Sequence, residues 1–154
     1  IYNYIMATFR EKYNKKYKYE KDANHSISDI SKKTNIQKKI LQDVYNRGVG
    51  AHKNNIGSVR NVQGVKGGPG KKMSKEQWAY GRLYSFILGG KTQKTTDKDL
   101  WNKHLMKEHS KHHTPEHIKI MNKEMKDGKS FSQAHKIAMK NDSKMKSVPK
   151  KSTY

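Results

Sequence analysis

The chain has 154 residues and carries 34 Lys and Arg against 13 Asp and Glu, a formal net charge of +21. Hydrophobic residues make up 32% of it, below the ~45–50% of ordinary globular domains. One large core is therefore excluded, and one domain or two very small ones with shallow cores are expected. The absence of cysteine excludes disulfides, thiolate metal sites and cysteine nucleophiles, and no apolar run reaches the roughly 20 residues of a membrane helix.

The apolar start, Ile1 to Ile5, is too short for a signal-peptide core and has no basic region before it. Met6 reads as a natural initiator, with residues 1–5 as upstream sequence or a fragment edge. Residues 1–25 read as a basic Tyr/Lys arm, in which Tyr13, Lys15, Lys16, Tyr17, Lys18 and Tyr19 follow no clear helical or strand order. Such interleaving suits stacking on bases and neutralising phosphates. A solvated, weakly ordered arm is an equal reading.

Residues 26–110 are expected to be a helical domain containing a Gly-rich loop at 61–72. Ile27, Ile30, Ile36, Ile40, Leu41 and Val44 recur at three- and four-residue spacing, broken at Thr34-Asn35. The pattern predicts a short helix, a tight turn, and a longer helix stopping at Gly48. Ser74-Lys75-Glu76-Gln77 fits a capping box, and Trp78, Ala79, Leu83, Phe86 and Ile87 supply the apolar face of the helix it opens, which Gly89-Gly90 ends. A further helix carries Leu100, Trp101, His104 and Leu105. Residues 111–141 read as a helical hairpin: Thr114-Pro115 opens one helix lined by Ile118, Met121 and Met125, Gly128 ends it, and residues 130–133 begin the next. Residues 142–154 are expected as a disordered basic tail. With no surviving period-two alternation, the fold class is all-α, a small helical bundle with flexible termini.

The charge excess is spread along the chain without a compensating acidic block. A dense anionic partner relieves the self-repulsion this brings, and nucleic acid is the commonest one. Residues 28–47 can be laid on a helix-turn-helix whose second helix presents Gln37, Lys38, Lys39 and Gln42 outward, although any basic helical hairpin gives a similar pattern. The glycines of 64–70 lead into Lys71-Lys72-Met73 without the Ser/Thr and preceding strand of a P-loop, so a flexible basic linker is the better account. Arg47, Arg60 and Arg82 stand out in a lysine-dominated chain, because Arg makes bidentate contacts that Lys cannot. They suit phosphate contact or, equally, internal pairing with Asp43 or Asp97. The candidate nucleic-acid-binding residues are Lys38, Lys39, Gln42, Arg47, Lys53, Arg60, Lys66, Lys71, Lys72 and Arg82.

Histidines crowd the stretch 104–117. A metal site there is the lesser reading, with His109, His112, His113 and His117 as its candidates and Glu108 and Glu116 as oxygen donors. Lys103, Lys107 and Lys111 would repel a cation, and no HExxH arrangement is present. Histidines that gain charge below about pH 6.5 and tighten polyanion contact are the favoured reading. No triad or paired-carboxylate spacing stands out, so no catalytic residues and no cofactor are expected.

The run 30–51, with Val-Tyr-Asn-Arg-Gly-Val-Gly-Ala at its end, then Ser58-Val59-Arg60, Gln77-Trp78-Ala79, Tyr84-Ser85-Phe86 and Asp97-Lys98-Asp99-Leu100, resembles an uncharacterised domain of large DNA viruses and phages. The chain departs from that pattern at His52, where an aromatic residue is common, and at Gly81, where Ala is usual. Residues 112–140, carrying His117, Ile118, Met121, Met125, Gly128, Ser130, Phe131, Ala134, His135 and Ala138, are similar to a basic helical-hairpin segment in proteins of such viruses. Neither resemblance implies an activity. They imply a virus-encoded basic protein of the particle.

The expectation is thus a non-catalytic, virion-associated protein that binds nucleic acid, viral DNA foremost, with low sequence specificity, and lies inside the host cell during infection. The alternative is a minor capsid or cement protein with capsid proteins as partners. No membrane contact is expected.

Overall fold

The computed structural model describes residues 8–61 and 70–147, the side chains of 144–147 excepted. Its described residues are all-α: α1 (Phe9–Tyr17), α2 (Ile27–Thr34), α3 (Lys38–Asn54), a 3-10 turn (Ile56–Ser58), α4 (Lys75–Ile87), α5 (Lys91–Lys94), α6 (Lys98–Ser110), α7 (Pro115–Lys126) and α8 (Phe131–Ser147). Two compact units divide within α6, after Trp101, rather than after residue 110. No described helix is long and apolar enough to cross a membrane.

The first unit is built on the crossing of α3 and α4. Ile40, Leu41 and Val44 of α3 meet Leu83, Tyr84, Phe86 and Ile87 of α4, joined by Ile30, Ile36 and Leu100. The turn between α2 and α3 is closed as its residue types dictate. Asn35 takes the left-handed conformation (φ 58°), Ser31 Oγ donates to Ile36 O at 2.7 Å, and Thr34 Oγ1 donates back to Ile30 O at 2.7 Å. The hydroxyl thus satisfies a helix-end carbonyl instead of filling the core.

Two expectations fail in this unit. Residues 9–17 are helical rather than a solvated arm, started by a complete Thr8/Glu11 capping box. Tyr13 is fully buried in the core, its ring 5.0 Å from that of Tyr84. The buried Asn14 holds the segment after the helix: its amide donates to Lys21 O at 2.9 Å and Ala23 O at 3.0 Å, and its Oδ1 meets His25 Nε2 at 2.8 Å. Nor does α3 stop at Gly48. It runs to Asn54, because that glycine provides close packing against α4 in place of a helix end.

The base of the Gly-rich segment is clasped. Asn61 and Lys72 form an antiparallel bridge, Met73 N donates to Arg60 O at 2.9 Å, and Lys72 Nζ donates to Val59 O at 2.6 Å. Residues 62–69, expected as flexible linker, lie outside the described residues.

In the second unit α7 and α8 form a hairpin over Met121, Ala134 and Ala138, with Met106, Ile120, Met125 and Phe131 packed against them. Thr114 caps α7, accepting from His117 N at 3.3 Å, with Pro115 in the first turn. Gly128 turns the chain at φ 91°, and Ser130 and Gln133 cap α8 reciprocally. Residues 142–147, expected as part of a disordered tail, are helical, since α8 continues to Ser147. Residues 148–154 lie outside the described residues.

Candidate functional site

In the first unit Arg47 and Arg82 are turned inward. Asp97, fully buried, sits just before α6, and its backbone N–H donates to Thr92 O at 2.8 Å. Arg82 of α4 grips it side-on, Nε at 2.9 Å and Nη2 at 2.7 Å, and also donates to Thr96 Oγ1 at 3.2 Å. Arg47 of α3 reaches Asp97 at 3.3 Å, holds Asp99 with a fork of 2.8 and 2.6 Å, and donates to Thr96 O at 2.8 Å. Two guanidiniums therefore meet two carboxylates, and the cluster is close to locally neutral. Hydrogen bonding from Arg47 holds the Asp99 carboxyl below its usual range. The network ties three helices together and leaves neither guanidinium aimed outward as a phosphate fork. Of the two pairing partners weighed from sequence, Asp97 is the one used and Asp43 is not, while Asp99 was missed.

The other candidate side chains fall into distinct settings. Lys38 and Lys39 on the first turn of α3, Lys53 near its end, Arg60 and Lys71 are all exposed. Gln42 is half-buried and donates to Asn46 Oδ1 at 3.1 Å along the same helix. Lys72 is exposed, with its ammonium spent on backbone carbonyls at the loop base. Lys66 lies outside the described residues. The stretch laid on a helix-turn-helix forms two helices, α2 and α3, joined by three residues; the Gln37 N-cap of α3 makes no side-chain capping bond and its first turn holds no acidic residue.

The second unit assembles a constellation that spacing alone did not. His109 near the end of α6, His113 in the turn, His117 in α7 and His135 in α8 each place one ring nitrogen within 4.8 Å of all the others. His112, a candidate from sequence, is exposed and not part of the group, nor are Glu108 and Glu116. The residue that completes it, His135, was quoted in the hairpin resemblance but not as a ligand. The His113 ring stacks on His109 at 4.0 Å and on His117 at 4.1 Å between centroids, with the His135 ring edge-on to His109 at 4.6 Å. His109 Nε2 and His117 Nε2 are 3.2 Å apart.

Around this group His117 is fully buried, and its Nδ1 donates to Asp142 Oδ2 at 2.6 Å. His135 Nε2 is buried without a hydrogen-bond partner. Lys111, counted from sequence as repelling a cation, is bonded to both oxygens of Glu108 at 2.8 Å. Burial, and then the neighbouring histidines, hold the His109 imidazole down at about 4, and the same causes lower His113. The expectation that these two gain charge near pH 6.5 is overturned: crowding four imidazoles together opposes protonation.

Compared with known proteins, residues 3–102 match the family model described as "Family of unknown function (DUF5824)". No curated protein and no solved structure matches the chain. The matched stretch contains Arg47, Arg82, Asp97 and Asp99, so the family region carries the ion-pair network, while the four histidines lie beyond it.

Proposed function

The chain belongs to the family of unknown function DUF5824, and from its own residues we propose that it is a non-catalytic nucleic-acid-binding protein that contacts the phosphate backbone through lysines. Supporting this is the disposition of charge: three of the four arginines, Arg10, Arg47 and Arg82, have carboxylate partners within the chain, while Lys38, Lys39, Lys53 and Lys71 are exposed and form no ion pair with the described residues. A surplus of +21 offered in this way suits an anionic polymer. Lysine contacts are point charges without fork geometry, so they carry little sequence information. The first turn of α3 adds Lys38 and Lys39 beside backbone N–H groups that no side chain caps, a combination favourable to a phosphate. The viral resemblance makes a viral genome the natural polymer, with the virion as its setting.

The test is a fluorescence-anisotropy titration of the full chain against duplex DNA of several sequences at increasing salt. Affinities should be alike across sequences, and log K should fall by roughly 0.9 per phosphate contact for each log unit of salt. A salt-independent affinity, or none at physiological ionic strength, overturns the proposal.

A further inference from the structure

The geometry points to a tetrahistidine metal centre in the second unit, formed by His109, His113, His117 and His135 and binding one divalent cation of borderline softness, zinc foremost. It is a structural element independent of nucleic-acid contact. Zinc bonds imidazole nitrogen at about 2.0–2.1 Å, which in a tetrahedron sets neighbouring nitrogens about 3.3 Å apart. His109 Nε2 and His117 Nε2 already stand 3.2 Å apart, and the whole set lies within 4.8 Å, so small ring rotations bring four donors onto one ion. An all-imidazole set suits zinc, copper, nickel or cobalt and is a poor match for magnesium or calcium, which take oxygen donors.

Two further features suit a ligand. The His117 Nδ1 proton is committed to Asp142 at 2.6 Å, which leaves the Nε2 lone pair facing the other rings. This is the carboxylate–histidine arrangement that orients a ligating imidazole and raises its basicity. His135 Nε2 is buried with no partner of its own, which is unfavourable unless something fills the space before it. Asp142 also brings negative charge to a lysine-rich neighbourhood.

Four protein ligands close a tetrahedral site, so no position is left for the activated water of a zinc hydrolase. The ion would instead cross-link the end of α6, the turn after it, α7 and α8. This unit has a small core of Met121 and two alanines, and a metal cross-link is a usual supplement to a core of that size.

The experiment uses the full chain, stripped with chelator and titrated with Co2+ by visible spectroscopy, then back-titrated with Zn2+. One equivalent should bind, give tetrahedral d–d bands, and be displaced by zinc, and zinc should raise the melting temperature. His117→Gln and His135→Gln should lose the bands, His112→Gln should keep them, and Asp142→Asn should keep them with 10- to 100-fold weaker affinity. Far-UV circular dichroism checks that each variant remains helical. Should His117→Gln unfold, His135→Gln and Asp142→Asn decide the matter. Undiminished binding in His135→Gln, equal loss in His112→Gln, or no stoichiometric binding at all overturns the centre.

Discussion

Gly48 of α3 packs directly against Ala79 of α4: a Cβ built on Gly48 would lie 2.7 Å from Ala79 Cα and 3.1 Å from its Cβ. The contact is backbone to side-chain root, so no rotamer change relieves it. Gly48→Ala should force the helices apart and destabilise the first unit by about 1–3 kcal/mol. Gly50 and Gly81 occupy the same two helices but would meet nothing within 4 Å. Alanine at either should stabilise by up to ~1 kcal/mol through helix propensity. Urea denaturation followed by the fluorescence of Trp78 and Trp101, both in the first unit, checks the opposite signs. Equal effects at positions 48 and 81 would refute the close-packing role.

Asp97 and Asp99 should differ sharply despite their shared partner. Asp97→Asn leaves Arg82, whose side chain is 15% exposed, without its fork. We expect a loss of roughly 2–4 kcal/mol, since Arg47 keeps Asp99 and solvent on one side. Asp99 is 61% exposed, so Asp99→Asn should cost about 1 kcal/mol or less. The ordering is read from denaturation midpoints at constant slope.

Stability of the first unit should decline on mild acidification. Burial lowers His25 from its ordinary value of 6.5, and Asn14 engages its Nε2. The unfolded chain therefore takes up this proton before the folded one does. The contribution is fully present above about pH 6.5 and is lost as pH falls through that value toward the folded one. His25→Gln keeps a donor for Asn14 but cannot titrate, so it should flatten the change in tryptophan-monitored stability as pH falls below about 6.5. An unchanged slope would assign the effect elsewhere.

Under the phosphate-backbone proposal, Lys38→Gln and Lys39→Gln should each weaken DNA binding for all sequences alike and lower the magnitude of the salt slope by roughly 0.9. Arg47→Lys should leave that slope unchanged, because its guanidinium faces carboxylates. A reduced slope in Arg47→Lys would place this arginine on the phosphates after all.

Most helices were legible because their signals are local. The Ser74/Gln77 box, Thr114-Pro115 and Gly128 each act through their immediate neighbours, and each sits where expected. Misreadings came where a residue's role is set across the fold. Gly48 looks like a stop until Ala79 is beside it, and the tyrosines of α1 look like a solvated pattern until Tyr84 buries Tyr13. Thr8 and Glu11 did hold a local sign of that helix. Arg47 could be flagged as unusual among lysines, but its carboxylate partners lie about 50 residues away. The histidines divide in the same way. Three share a regular four-residue spacing, while His135 and Asp142 come from a helix that only the hairpin fold brings alongside.

Asp97 follows Arg82 by 15 residues and Arg47 by 50, which gives the ion-pair network a temporal side. A nascent polypeptide released up to the end of α4 already possesses both apolar faces of the α3–α4 crossing but neither carboxylate that neutralises its two guanidiniums. Synthesis of a few more amino acids delivers Asp97 and Asp99 together with the start of α6. The last stretch to leave the ribosome for this unit is therefore the one that locks it, and shortened products ending before that point would stay loosely assembled.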